Sequence, residues 1–169
     1  GEETLSKILD WNDRGTCVLF GDGAGAAYLE ESDKGIISVV QGSIGKKGMV
    51  LNCESRRTHN IFTEDGIEHD YLHMDGQEVY KFAVRQCPKC LLEALEKADM
   101  TADDIDYFVL HQANVRIIES VAKRLKAPIE KFPMTLGYTG NMSAASVPVM
   151  LDSLVRDGGL IRGDKVAMS

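Results

Sequence analysis

The stretch "IDYFVLHQANVRII", residues 105–118, changes its period midway. Residues 105–110 run almost continuously apolar, the pattern of a strand covered on both faces. Beyond the turn, Ile117, Ile118, Val121 and Leu125 recur at helical spacing with charged residues between them, which predicts an amphipathic helix over 113–126. A buried strand feeding such a helix is the repeating unit of a layered α/β domain. His111 sits at the junction, the carboxyl end of the strand, where open α/β sheets hold ligands and reactive groups.

Outward from this unit the same alternation continues. On the N-terminal side, "DGQE" (75–78) offers an aspartate N-cap with a glutamate three residues on, predicting a long helix from Asp75. "TADD" (101–104) reads as a short turn. On the C-terminal side a helix is expected from Ser143 to Asp157, closed by Gly158 and Gly159, and "DKVAMS" (164–169) reads as the start of a strand. Nearer the N-terminus, residues 4–12 suggest a short helix, and "TCVLF" (16–20), "AAYLE" (26–30) and "GIISVVQG" (35–42) suggest three strands. The whole predicts a mixed sheet with helices packed on its faces, antiparallel toward the N-terminal end, in a single domain over residues 1–169.

The chain has 169 residues, 44% of them apolar and 27% charged, enough for one domain with a real core. A formal net charge of −7 argues against a nucleic-acid partner, whose phosphates select cationic surfaces. No run is long and apolar enough for a membrane span, and "GEETLSKILD" (1–10) lacks the features of a secretory signal, so a cytoplasmic location without membrane contact is expected. Cys17, Cys53, Cys87 and Cys90 are then expected to be reduced thiols. The pair in Cys87-Pro88-Lys89-Cys90 falls on one apolar helical stripe with Val79, Ala83, Leu91, Ala94 and Leu95, so core packing is favoured over redox or zinc chemistry. Pro88 should kink that helix. No metal site is expected.

"FGDGAGAAYLEE" (20–31) does not serve as a dinucleotide loop, because "AAYLEE" and a turn-like "SDKG" after its glycines are too short for a crossover helix. Its glycines are expected to let packed strands approach closely. Asn141 lies in a Gly-Asn turn before the helix from Ser143, a position similar to that of His111. The positive end of a helix disfavours an imidazolium, so His111 should be a neutral donor, and an asparagine amide never titrates. Two neutral donors aimed at one point suit a developing enolate or oxyanion. The alternative on position alone is that each residue caps a helix.

"FGDGAGA", "MDGQEVYKFAVR", "HQANVRII" and "GNMSAASVP", in this order and spacing, resemble the C-terminal half of the β-ketoacyl-acyl-carrier-protein synthase III family of condensing enzymes. The resemblance implies a thiolase-like half-domain, a homodimer in the full-length enzyme, and a decarboxylative Claisen condensation of acyl-CoA with malonyl-acyl carrier protein. It identifies His111 and Asn141 as catalytic, Asn114 and Tyr80 as lying near the substrate channel, and Arg116 with Lys123 as a carrier-protein docking face. It implies no cofactor, acyl-CoA being a substrate. It further implies that the nucleophilic cysteine belongs to an N-terminal half that this chain lacks, along with a final strand, so that the chain alone is inactive. Residues 43–70 are mixed, polar and weakly periodic, which suggests a long loop, and His59, His69 and His73, in or beside it, match nothing catalytic. Two other readings stay open: a noncatalytic half-domain that binds CoA, a carrier protein or a complementary chain, and a cysteine hydrolase using Cys, His and Asn.

Overall fold

The computed structural model describes residues 1–54, 62 and 70–169. His59 and His69 lie outside the described residues. In chain order the elements are strands β1 (Glu2–Glu3), β2 (Gly23–Ala24), β3 (Leu51–Asn52) and β4 (His73–Met74), helix α1 (Gly76–Lys97), strand β5 (Tyr107–Val109), helices α2 (Val115–Leu125), α3 (Leu136–Thr139) and α4 (Ser146–Arg156), and strand β6 (Val166–Met168). Pairs β1–β2 and β3–β4 are antiparallel, whereas β5 and β6 are parallel, with Tyr107, Phe108 and Val109 opposite Val166, Ala167 and Met168. The antiparallel pairs lie toward the N-terminal end and the parallel pair toward the C-terminal end, but the antiparallel pairs are not formed by the strands expected over 16–42.

Helices α1 and α2 begin where the sequence supplies acceptors for their orphan N–H groups. Asp75 caps α1 by accepting from the backbone N–H groups of Gln77 and Glu78. The Glu78 carboxylate, three residues on, turns instead to Lys47 and Lys81 at 2.9 and 2.8 Å, and these cations lower its pKa to about 2. Asn114 caps α2 in the same way through Arg116 N–H. At the turn over Ala102–Asp104, Thr101 and Asp104 satisfy each other reciprocally. The open end of that turn is closed by Lys131, whose Nζ donates to the carbonyls of Ala102, Asp103 and Ile105. Helix α1 continues unbroken through Pro88, which is buried.

One core joins these parts. Leu91 and Leu95 of α1, Ile105, Phe108 and Leu110 around β5, and Ile117, Ile118, Val121 and Leu125 of α2 form a single buried cluster, with Phe132 stacked on Phe108 at a ring separation of 4.7 Å. Cys87 packs against this cluster as the helical stripe predicts, and burial pushes its thiol pKa up. All four cysteines are free. Helix α1 packs on α2, and α4 contacts both β2 and β5.

Two expectations need correction. Of residues 4–12 only Leu5–Lys7 form a helical turn, of the tighter 3-10 kind. Residues 26–42 form no strand, and "TCVLF" contributes only a parallel bridge between Phe20 and Asn141. Tyr28, Leu29, Ile36, Ile37 and Val39 are exposed. The alternation that favours a strand fixes where side chains point but supplies no neighbouring strand to accept the backbone hydrogen bonds.

Candidate active site

His111 is fixed from both directions along its own backbone. Its N–H donates to Ser169 C=O at 2.6 Å, while Ser169 N–H donates to Val109 C=O, so β6 carries the ladder one step beyond β5 to the histidine. Gln112, fully buried, donates to Leu110 C=O and accepts from Thr135 N–H at 3.0 Å, tying this turn to the segment that leads into α3. The next residues rise into α2.

Asn141 arrives on a different path. Gly140 takes a positive φ of 67°, a region closed to most side chains, and Asn141 then pairs with the N-terminal segment: its N–H donates to Leu19 C=O and its C=O accepts from Gly21 N–H. The glycine-rich stretch makes this approach possible. A Cβ on Gly21 would collide with the Thr139 carbonyl oxygen, and one on Gly23 with the Met142 sulfur. These glycines therefore act by close approach, as their sequence context predicts.

The two paths meet at Ser143, which holds a positive φ of 47°. Asn141 Oδ1 accepts from Ser143 N–H at 2.9 Å, which fixes the amide and leaves its Nδ2 without a protein partner among the described residues. The His111 ring lies against the Ser143 backbone, and its Nδ1 is 2.7 Å from Ser146 Oγ. Ser146 Oγ in turn contacts Ser143 C=O at 2.8 Å and Gln112 N–H at 3.3 Å. Burial lowers the His111 pKa below its ordinary 6.5, and the Ser143 backbone opposes that shift. The neutrality expected of His111 is therefore present, but desolvation is its leading cause rather than the helix end.

The remaining predicted residues divide. Asn114 and Arg116 line an open cleft of about 490 Å³ together with Leu19, Glu119, Leu136 and Gly140, the last adjoining Asn141. Lys123 is exposed on α2, two turns beyond Arg116. Tyr80 lies on the first turns of α1, partly exposed, and is not among the residues lining that cleft. Sequence reasoning alone does not reach Gln112, Ser143 and Ser146. Their signal is their place inside "HQAN" and "GNMSAAS", and only their contacts show what they hold. Among the described residues no cluster of three or more His, Cys, Asp or Glu side chains could hold a metal ion, and no helix is long and apolar enough to cross a membrane.

Known proteins resemble this chain over nearly its whole length. Residues 95–169 match the family model for the 3-oxoacyl-[acyl-carrier-protein] synthase III C-terminal region, and residues 1–48 match the 3-oxoacyl-[acyl-carrier-protein] synthase III model. The β-ketoacyl-[acyl-carrier-protein] synthase III of Clostridium novyi is 47% identical over 99% of this chain and 52% of its own length, and that of a Synechococcus strain is 46% identical over 100% and 52%. The solved β-ketoacyl-[acyl-carrier-protein] synthase III of Thermus thermophilus superimposes with a TM-score of 0.82 at 40% identity, over 99% of this chain and 52% of that one. A priming β-ketosynthase of the R1128 polyketide pathway gives 0.81 at 34% identity, over 97% and 49%. The fold is accordingly thiolase-like, and the chain spans about half the length of the curated relatives it matches. With both segments that bear the site, 1–48 and 95–169, matching in order, the chain belongs to the β-ketoacyl-acyl-carrier-protein synthase III family.

Proposed function

We propose that this chain carries the enolate-stabilising half of a decarboxylative condensing site. In the full-length protein an acyl-CoA acylates a cysteine thiol, malonyl-acyl carrier protein loses carbon dioxide, and the resulting enolate attacks the acyl-enzyme to give a 3-oxoacyl carrier protein. His111 and Asn141 donate to the malonyl thioester oxygen while negative charge builds there. The nucleophile comes from outside residues 1–169. Burial raises the pKa of the Cys87 thiol, the opposite of what a nucleophile needs, and the His111 ring is partnered by a serine rather than by a thiol. The same contacts disfavour a cysteine hydrolase. No bound cofactor is required, the working unit is a homodimer in the cytoplasm, and Asn114 and Tyr80 flank the substrate's approach.

The observation that carries this reading is the convergence of His111 and Asn141, 30 positions apart, on the backbone of Ser143, with the Asn141 Nδ2 left as a donor. In the full-length protein, His111→Ala and Asn141→Ala should each slow malonyl decarboxylation by about 100-fold or more, on the order of 3 kcal/mol, and leave acylation by acyl-CoA nearly intact. Equal losses in both half-reactions would overturn the assignment. A noncatalytic role would leave both half-reactions untouched.

A further inference from the structure

A neutral imidazole carries one ring proton, and whether it faces the site depends on what the other nitrogen meets. For His111 that partner is Ser146 Oγ, fully buried and at 2.7 Å from Nδ1. The hydroxyl has one proton and two lone pairs. One lone pair is taken by Gln112 N–H at 3.3 Å, since a backbone N–H can only donate. The proton then has two acceptors within reach, Nδ1 and the Ser143 carbonyl at 2.8 Å. These are unequal. The Ser143 carbonyl already accepts the Ser146 backbone N–H, whereas an imidazole nitrogen facing a hydroxyl has no other donor here and is the more basic acceptor.

We infer that Ser146 is a positioning residue whose hydroxyl donates to His111 Nδ1 and thereby places the ring proton on Nε2, the nitrogen that Ser146 does not engage. The inference rests on the enolate-stabilising reading for its purpose, because with Nδ1 held by Ser146 a neutral His111 can donate to an oxyanion only from a protonated Nε2. A hydroxyl suits the task better than a fixed backbone group. When the ring takes up a second proton, the hydroxyl turns to the Ser143 carbonyl and accepts from Nδ1–H, so neither charge state strands a buried polar atom. The Ser143 backbone, 2.8 Å from that hydroxyl through its carbonyl, already favours the protonated ring; without the hydroxyl it would be left to draw the proton to Nδ1 and leave a lone pair on Nε2.

The direct test is nitrogen NMR of the histidine-labelled chain, above the imidazole pKa, with His111 assigned by substitution. The expected spectrum has a pyrrole-like Nε2 and a pyridine-like Nδ1, and the assignment reverses in Ser146→Ala. In the full-length protein Ser146→Ala should lower kcat for malonyl decarboxylation about 100-fold with little change in KM, and Ser146→Thr, which keeps the hydroxyl, should restore much of it. A pyrrole-like Nδ1 in the unmutated chain overturns the inference and needs no variant to fold. An unreversed spectrum in Ser146→Ala overturns it as well. Decarboxylation that is indifferent to His111→Ala, with Nε2 still protonated, would instead overturn the enolate reading and leave the proton assignment standing.

Discussion

At His111 two influences oppose each other: burial penalises the charged ring, and the Ser143 backbone favours it. Burial wins, so the folded-state pKa falls below the unfolded value near 6.5. That order fixes the sign of the linkage. Above the unfolded value the ring is neutral in both states and contributes no pH dependence; as the pH falls through it, the unfolded chain takes up a proton that the folded chain resists, and stability declines. The His111 resonances should therefore titrate below pH 6.5, and His111→Asn should lessen the loss of stability on mild acidification, read by denaturant midpoints along a pH series. An imidazole titrating above 6.5 would contradict the burial of the site. The type and place of His111 are legible in the sequence, because a strand end is a local signal. Its partner is not, since Ser146 lies 35 positions away and is brought near only by the packing of α4 against β5.

The elements differ in how much of each is written locally. Helix α1 begins at Asp75 and α2 at Asn114 because a cap and an apolar period within a few residues suffice to define them. The stretch 26–42 carries an equally clear β pattern yet forms no ladder, since a strand is completed only by another strand. Glycines behave the same way: their meaning depends on what lies opposite. Gly21 faces the Thr139 carbonyl, part of a backbone with little freedom to yield, so Gly21→Ala should cost about 1–3 kcal/mol and disturb the Asn141 ladder. Gly137, in α3, has an ordinary φ and nothing near its missing Cβ, so Gly137→Ala should be neutral or stabilise by up to about 1 kcal/mol. Thermal unfolding of the two variants side by side distinguishes them. Equal effects would show that the glycine-rich segment does not press on the turn before Asn141.

Across the whole molecule the charge is unevenly spread. The chain carries −7, whereas Arg116, Lys123, Arg124 and Lys126 stand exposed on or just after α2 with Glu119 as the one acidic residue between 113 and 126. None of these four cations forms an ion pair among the described residues. Cations near a helix C-terminus are favoured by its dipole, which accounts for Lys123, Arg124 and Lys126 but not for Arg116 in the first turn. Arg116 lines the cleft beside Asn114 and Gly140, and an acidic carrier protein arriving there would meet a complementary field. In the full-length protein, Arg116→Glu with Lys123→Glu should raise KM for malonyl carrier protein several-fold and flatten its salt dependence, while acylation by acyl-CoA is unchanged. An unaltered KM at low ionic strength would remove the docking role and leave this face as ordinary solvated surface.

The bridge between Phe20 and Asn141 joins residues more than a hundred positions apart, and it governs the order in which the molecule can assemble. The buried residues of the core that joins α1, β5 and α2 all lie between Leu91 and Phe132. Asn141, by contrast, reaches its final setting only when the first twenty or so residues return to it, a closure whose entropy must be met before its two backbone hydrogen bonds form. Gly23 and Ala24 have local partners in Glu3 and Glu2, whereas Phe20 and Gly21 stay unpaired until the distant segment bearing Asn141 is in place. The setting of Asn141 is thus expected to close later than the core, because it depends on the contact of longest sequence separation.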